Sequence, residues 1–158
     1  MARELVVLWA GRHQRSSWEE ICGSYRERIA RFVPVRDVPV RARAGADDPQ
    51  RRPIEGQALL AALPQPSCCV ALDSRGEAMA SEQLAERLSR MRDEWPHPIA
   101  FVVGSDLGLD RAVLAEARWT LSFGPLTLSH ELARVVLYEQ LYRALSIAAG
   151  MRYHREPL

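Results

Sequence analysis

Near the C-terminus, Arg152, Tyr153, His154 and Arg155 place a phenol, an imidazole and two guanidiniums side by side. Guanidiniums pair with phosphate oxygens, an aromatic ring stacks on an unpaired base, and an imidazole moves a proton near neutral pH. The group therefore suits a polyanion or a nucleobase, although a frayed tail is the common fate of a C-terminus. Upstream, Glu139 and Arg143 lie four apart in a strongly helical run and meet on one face. The bland reading is a surface ion pair contributing about 0.3–0.5 kcal/mol. Before that run, Phe123-Gly124-Pro125-Leu126-Thr127-Leu128-Ser129-His130 sets Gly, Pro, Thr and Ser among apolar residues. Such a loop offers free main-chain donors and acceptors at the edge of a core, which suits a small molecule with polar edges. The loop reads as a cofactor site and the tail as a substrate clamp.

Other chemistries fit less well. Gly104–Leu109 is a glycine-bearing turn between a strand and a helix, but it lacks the Gly-Lys-Ser/Thr ending of a P-loop and the G-x-G-x-x-G of a dinucleotide site. Ser129, His130 and Glu131 are sequence neighbours and not a triad, and no G-x-S-x-G exists. His13 and His97 read as exposed residues, and the histidine spacing predicts no metal site. Cys22, Cys68 and Cys69 match neither a disulfide framework nor a zinc site and read as buried small hydrophobes.

The elements that position these residues alternate. Leu5–Trp9 reads as a central strand, followed by a helix capped by Ser17 with Trp18, Ile21, Tyr25, Ile29 and Phe32 on one stripe. Val33–Val40 reads as an edge strand, Arg41–Pro53 as a loop and Pro53–Leu63 as a short helix. Cys68–Asp73 is a buried strand closed by a turn at Ser74–Gly76, and Ser81 caps a helix bearing Leu84, Leu88, Met91 and Trp95. Ile99–Gly104 is the clearest buried strand, Asp110 caps a helix reaching Arg118, and Trp119–Ser122 is a short strand. The last helix runs from Glu131 to Ala149, capped by Ser129 and stopped by Gly150. This order predicts an α/β domain with a mostly parallel sheet, helices on both faces and ligands gathered at the carboxyl ends of the strands.

With 158 residues, 47% apolar and 26% charged, the chain is expected to form one domain spanning 1–158. No apolar run suits a membrane span and no signal-peptide pattern opens the chain, so the expected address is cytoplasmic. Formal charge is only +1, which does not announce a nucleic-acid coat but leaves room for a local basic patch.

Taken together, several segments resemble the ribosomal large-subunit methyltransferase H family. They are Phe101-Val102-Val103-Gly104 with Gly108-Leu109, Leu121-Ser122-Phe123, Leu126-Thr127-Leu128 with His130, Arg134 through Leu137, Glu139, Gln140 and Tyr142-Arg143-Ala144, then Ile147, Gly150 and Tyr153-His154-Arg155. Weaker matches extend upstream through Ser24-Tyr25, Arg28, Glu55-Gly56 and Leu72-Asp73. The resemblance implies a SPOUT α/β fold with a C-terminal trefoil knot. It implies an S-adenosyl-L-methionine pocket built from Leu72, Gly104 and the run Ser122, Phe123, Gly124, Pro125, Leu126, Thr127 and Leu128. The implied substrate is a pseudouridine of large-subunit rRNA, methylated at N3 on the assembled ribosome by a homodimer whose partner subunit completes each pocket. Methyl transfer to that nitrogen needs loss of the imide proton. His154 or Glu139 is the expected base, Arg143 or Arg155 the stabiliser of the anionic base, and Tyr153 the stacking ring. His130 and Arg152 are expected on the substrate side. Ser105 departs from the Gly-Gly usual in this family and leaves two alternatives: a side chain that narrows the pocket, or one that points away. An RNA-binding relative with weakened cofactor use, and a flavodoxin-like nucleotide binder with a phosphate at Gly104–Leu109, are the competing readings.

Overall fold

A computed structural model of the chain describes residues 4–41 and 48–153. Five parallel strands form one sheet in the order β2-β1-β4-β3-β5, where β1 is Leu5–Ala10, β2 Val35–Val40, β3 Cys68–Ala78, β4 Ile99–Val103 and β5 Trp119–Ser122. All residues of β1 and β4 are buried, as uninterrupted apolar strands covered on both faces must be. Helices α1 (Ser17–Ile29), α3 (Ser81–Glu94) and α5 (His130–Ala148) cover one face. Helices α2 (Asp48–Ala62) and α4 (Arg111–Glu116) cover the other. The predicted α/β class with a parallel sheet is what the structure has, and the sheet is parallel throughout.

Several local expectations change, each for a visible reason. Ser16, not Ser17, caps α1, its hydroxyl accepting the Glu19 amide at 3.2 Å. The buried stripe of α1 runs through Cys22 and Ile29, while Trp18 and Ile21 face outward. The helix is rotated this way because Glu19 and Arg26 share its inward side and reach a polar cluster under the sheet end. The loop expected up to Pro53 is helical from Asp48, with Pro53 inside α2; residues 42–47 lie outside the described ones. Ser74–Gly76 does not close β3. The strand continues to Ala78 through a bulge between Leu72 and Glu77, where Asp73 accepts the Arg75 amide at 2.8 Å. Ser81 is the first residue of α3 and not its cap; its hydroxyl donates instead to Gln140 on α5 at 2.6 Å. Asp110 and Ser129 cap α4 and α5 as expected, and Gly150, at φ +74°, ends α5 in the left-handed conformation that glycine adopts without strain.

All three cysteines are buried and unpaired. Burial pushes the Cys22 thiol up to about 11 and the Cys69 thiol up to about 12, so at pH 8 almost none of either is thiolate. Iodoacetamide at that pH is expected to leave both unmodified in the folded protein and to label both in denaturant. Mass spectrometry of the tryptic peptides reads the result.

Candidate cofactor and substrate site

At the carboxyl ends of β3, β4 and β5 lies a cleft of about 570 Å³. Its walls include Leu72, Gly104, Phe123, Gly124, Leu126, Thr127 and Leu128, seven of the nine positions expected from sequence. Ser122 and Pro125 do not line it. Ser122 instead braces the turn: its hydroxyl accepts the Gly124 amide at 3.0 Å and lies 3.0 Å from the Ser74 carbonyl. The loop after β5 is thereby tied to the bulge of β3. Gly124 adopts φ +110°, where a side chain would be strained. Leu126 is 78% exposed at the cleft mouth.

The Gly104–Leu109 turn forms the opposite wall. A Cβ on Gly104 would sit 3.0 Å from the Gly108 backbone, a tight contact that would force the turn to open by a few tenths of an ångström. Ser105 is among the residues lining the cleft. Its hydroxyl accepts the Leu107 amide at 3.3 Å, and its own amide donates to the buried Glu55 carboxylate at 3.1 Å. The side chain is spent on shaping the turn. Arg51 adds an outer tie to Asp106 at 2.9 Å.

The charge of this cleft is informative. Its described lining contains Asp73, Asp106 and Glu131 but no arginine. Asp73 is already paired with Arg75 and Asp106 with Arg51, and Ser74, Thr127 and Ser129 also line the cleft. What it offers is main-chain and hydroxyl groups, with no arginine in its described lining to grip the phosphate that the flavodoxin-like reading needs.

His130, the first residue of α5, sits 3.2 Å from the Glu131 carboxylate and lines this cleft and a second one beside it. Glu139, Arg143 and Tyr153 do come together: Arg143 donates to Glu139 at 2.6 and 3.0 Å, and the Tyr153 hydroxyl donates to it at 3.2 Å. Tyr153 packs edge-on to Tyr142 at 4.7 Å with the Arg143 guanidinium 4.8 Å from its ring centre. Burial, with Tyr25 and Glu139 nearby, pushes the Tyr153 phenol well above its usual range, so it stays protonated as a donor. This trio does not reach the cleft of its own chain. Glu139 lies about 13 Å along α5 from His130 at a rise of ~1.5 Å per residue. Arg152 is exposed and lines neither cleft, and His154 and Arg155 lie outside the described residues.

A second polar cluster escaped the sequence reading. Asp37 at the middle of β2 has a buried carboxylate that accepts from Trp9 Nε1 at 2.9 Å, from Arg134 at 2.8 Å and from the Tyr138 hydroxyl. Arg134 also donates to Glu19 at 3.0 Å and lies 4.0 Å from the Trp9 ring centre. Burial opposes the Arg134 charge, but its bonds to Asp37 and Glu19 outweigh that and hold it protonated. His13, expected to be merely exposed, approaches both carboxylates at 3.6 Å. His13, Glu19 and Asp37 could geometrically grip a cation, but Arg134 and Arg26 already neutralise the two carboxylates. The sequence signal was faint: a lone Asp in an edge strand and one Arg among the leucines and valines of a long helix.

Comparison with known proteins fits this geometry. A family model described as "Predicted SPOUT methyltransferase" matches residues 4–154. A probable methyltransferase from Bordetella pertussis shares the fold at a TM-score of 0.56 with 18% identity, over 91% of this chain and 95% of that one. A ribosomal RNA large subunit methyltransferase H from Solidesulfovibrio magneticus is 41% identical over 96% of this chain and 99% of its own. Its namesake from Rhodospirillum centenum is 40% identical over 94% and 98%. The chain belongs to the SPOUT methyltransferases and, within them, to the ribosomal RNA large subunit methyltransferase H family.

Proposed function

We propose that this protein is an S-adenosyl-L-methionine-dependent methyltransferase that modifies N3 of a pseudouridine in large-subunit rRNA on the assembled ribosome, working as a homodimer in the cytoplasm. The observation that carries the reading is the cleft at the ends of β3, β4 and β5, walled by the two glycine turns and with no arginine in its described lining. Such a lining offers main-chain donors and acceptors to the polar edges of a cofactor and no guanidinium to grip a phosphate. The names of the relatives point to the same reaction class. When bound, S-adenosyl-L-methionine supplies the methyl group and departs as the uncharged thioether.

Leu72, Gly104, Phe123, Gly124, Leu126, Thr127 and Leu128 hold the cofactor, with main-chain groups of the two glycine turns matching its polar edges. Closing Leu126 over it removes water from the reacting atoms. In the Glu139–Arg143–Tyr153 trio, Glu139 orients the guanidinium and Arg143 is the cation that stabilises the nucleobase once the N3 proton has left. His154 remains the candidate base and Arg155 a second cation. Because the trio is remote from its own cleft, it serves the cleft of a second copy, which accounts for the dimer. The loop Phe123–Ser129 passes from the β5 edge to α5 beside the bulge of β3, a path that suits the trefoil knot of this fold.

Calorimetry is expected to show one S-adenosyl-L-methionine per subunit, and mass spectrometry of rRNA from cells lacking the protein is expected to miss one methyl on a pseudouridine. Activity on ribosomes should greatly exceed activity on naked rRNA, because the +1 chain has little charge with which to organise free RNA. Absence of cofactor binding, or an unchanged rRNA, would refute the proposal.

A further inference from the structure

The second cleft, about 310 Å³, lies at the carboxyl ends of β1 and β4 between the starts of α1 and α5. It shares Val103, Gly104, His130 and Glu131 with the cofactor cleft, so the two are adjoining rooms with a common wall. Its size sits near the lower bound of about 300 Å³ for small-molecule sites, enough for a base and its ribose.

The chemistry of its lining differs from that of the cofactor cleft. It holds two indoles, Trp9 and Trp18, two arginines, Arg12 and Arg134, and two acids, Glu19, paired with Arg26 and Arg134, and Glu131, beside His130. Trp9 is fixed: its N–H is bonded to Asp37 and the Arg134 guanidinium lies 4.0 Å from its ring centre. Trp18 is 40% exposed on the first turn of α1, turned away, like Ile21, from the core that Cys22 and Ile29 of that helix join. Arg12 and Gln14 are exposed beside it. Arg134 keeps its Nε–H buried and without a hydrogen-bond partner among the described residues. An exposed indole, a flexible amide, an exposed guanidinium and an unmet buried donor form the recognition set of an unpaired base with its phosphate.

We infer that this cleft is a nucleotide subsite: Trp18 stacks on an unpaired rRNA base, Gln14 meets the edge of that base and Arg12 its phosphate. The inference rests on the proposed methyltransferase function and adds to it where the RNA is gripped on the cofactor-bearing subunit. His130, lining both clefts, stands between base and cofactor.

Trp18→Ala and Trp18→Phe test it, using methyl transfer from labelled cofactor to ribosomes that lack the modification. Trp18→Ala is expected to raise KM for ribosomes roughly tenfold, within the range found for losing one base–aromatic stack, with kcat and cofactor affinity unchanged. Trp18→Phe should recover most of the loss. An unchanged KM, a parallel fall in cofactor affinity, or a Trp18→Ala protein that has become monomeric would each overturn the subsite. Ultraviolet crosslinking to ribosomes needs no turnover and separates the two levels of the argument. An rRNA adduct on the peptide containing Trp18 in a protein that transfers no methyl group would keep the subsite and sink the enzyme. No adduct there, in an active enzyme, would do the reverse.

Discussion

Arg143→Ala is expected to lower methyl transfer to ribosomes by roughly 10²–10³-fold, the usual effect of removing one preorganised partner of developing charge, while S-adenosyl-L-methionine affinity stays the same. The two readouts separate because Arg143 is bonded to Glu139 in the middle of α5 and does not line the cleft. If the trio serves a second copy, mixing rescues it. Thr127→Trp fills the exposed mouth of the cleft and removes cofactor binding without touching the trio. Neither variant alone is active. After co-refolding, about half the dimers are mixed, and each mixed dimer has one site joining an intact cleft to an intact Arg143. Activity near a quarter of wild type is expected. A mixture as inactive as its components would mean the site is built within one chain.

Asp37→Ala is expected to destabilise the fold by about 3–5 kcal/mol, the cost of stripping one partner from a buried ion pair. The carboxylate is 3% exposed and neutralises Arg134, which is 6% exposed, while also satisfying Trp9 and Tyr138. Against a typical total of about 5–15 kcal/mol, that loss is a large fraction. Arg36→Ala is the internal control. Arg36 pairs with Glu4 at 2.9 Å on the surface, and its removal should cost about 0–1 kcal/mol. Urea melts of the two variants at pH 7 check the contrast; equal midpoints would show that the Asp37 cluster contributes no more than a surface pair.

The sheet was legible because its signals are local. Ile99–Val103 and Leu5–Ala10 are uninterrupted apolar runs, and such runs have one stable home. The cleft at the ends of β3, β4 and β5 was legible for a related reason: its walls are turns whose glycines and caps are written in sequence. What stayed hidden was long-range. Asp37 and Arg134 are 97 residues apart and meet only when β2 and α5 close over Trp9. The outward turn of Trp18 has the same cause, since three- and four-residue spacing cannot say which of two candidate stripes a polar cluster claims. The bulge in β3 was misread as a turn because Asp73-Ser74-Arg75-Gly76 has turn composition, while Gly76 is there to let Thr120 approach; a Cβ would sit 2.6 Å from it.

Glu55 gives the Gly104–Leu109 turn an unusual anchor. It belongs to α2, on the opposite side of the sheet from α5, and its carboxylate reaches the Ser105 amide from behind. The curvature facing the ligand is therefore cast when the chain folds, and the entropy of ordering that wall is already spent before any guest arrives. Drift in α2, though far from the chemistry, would be felt as a looser grip at the other side.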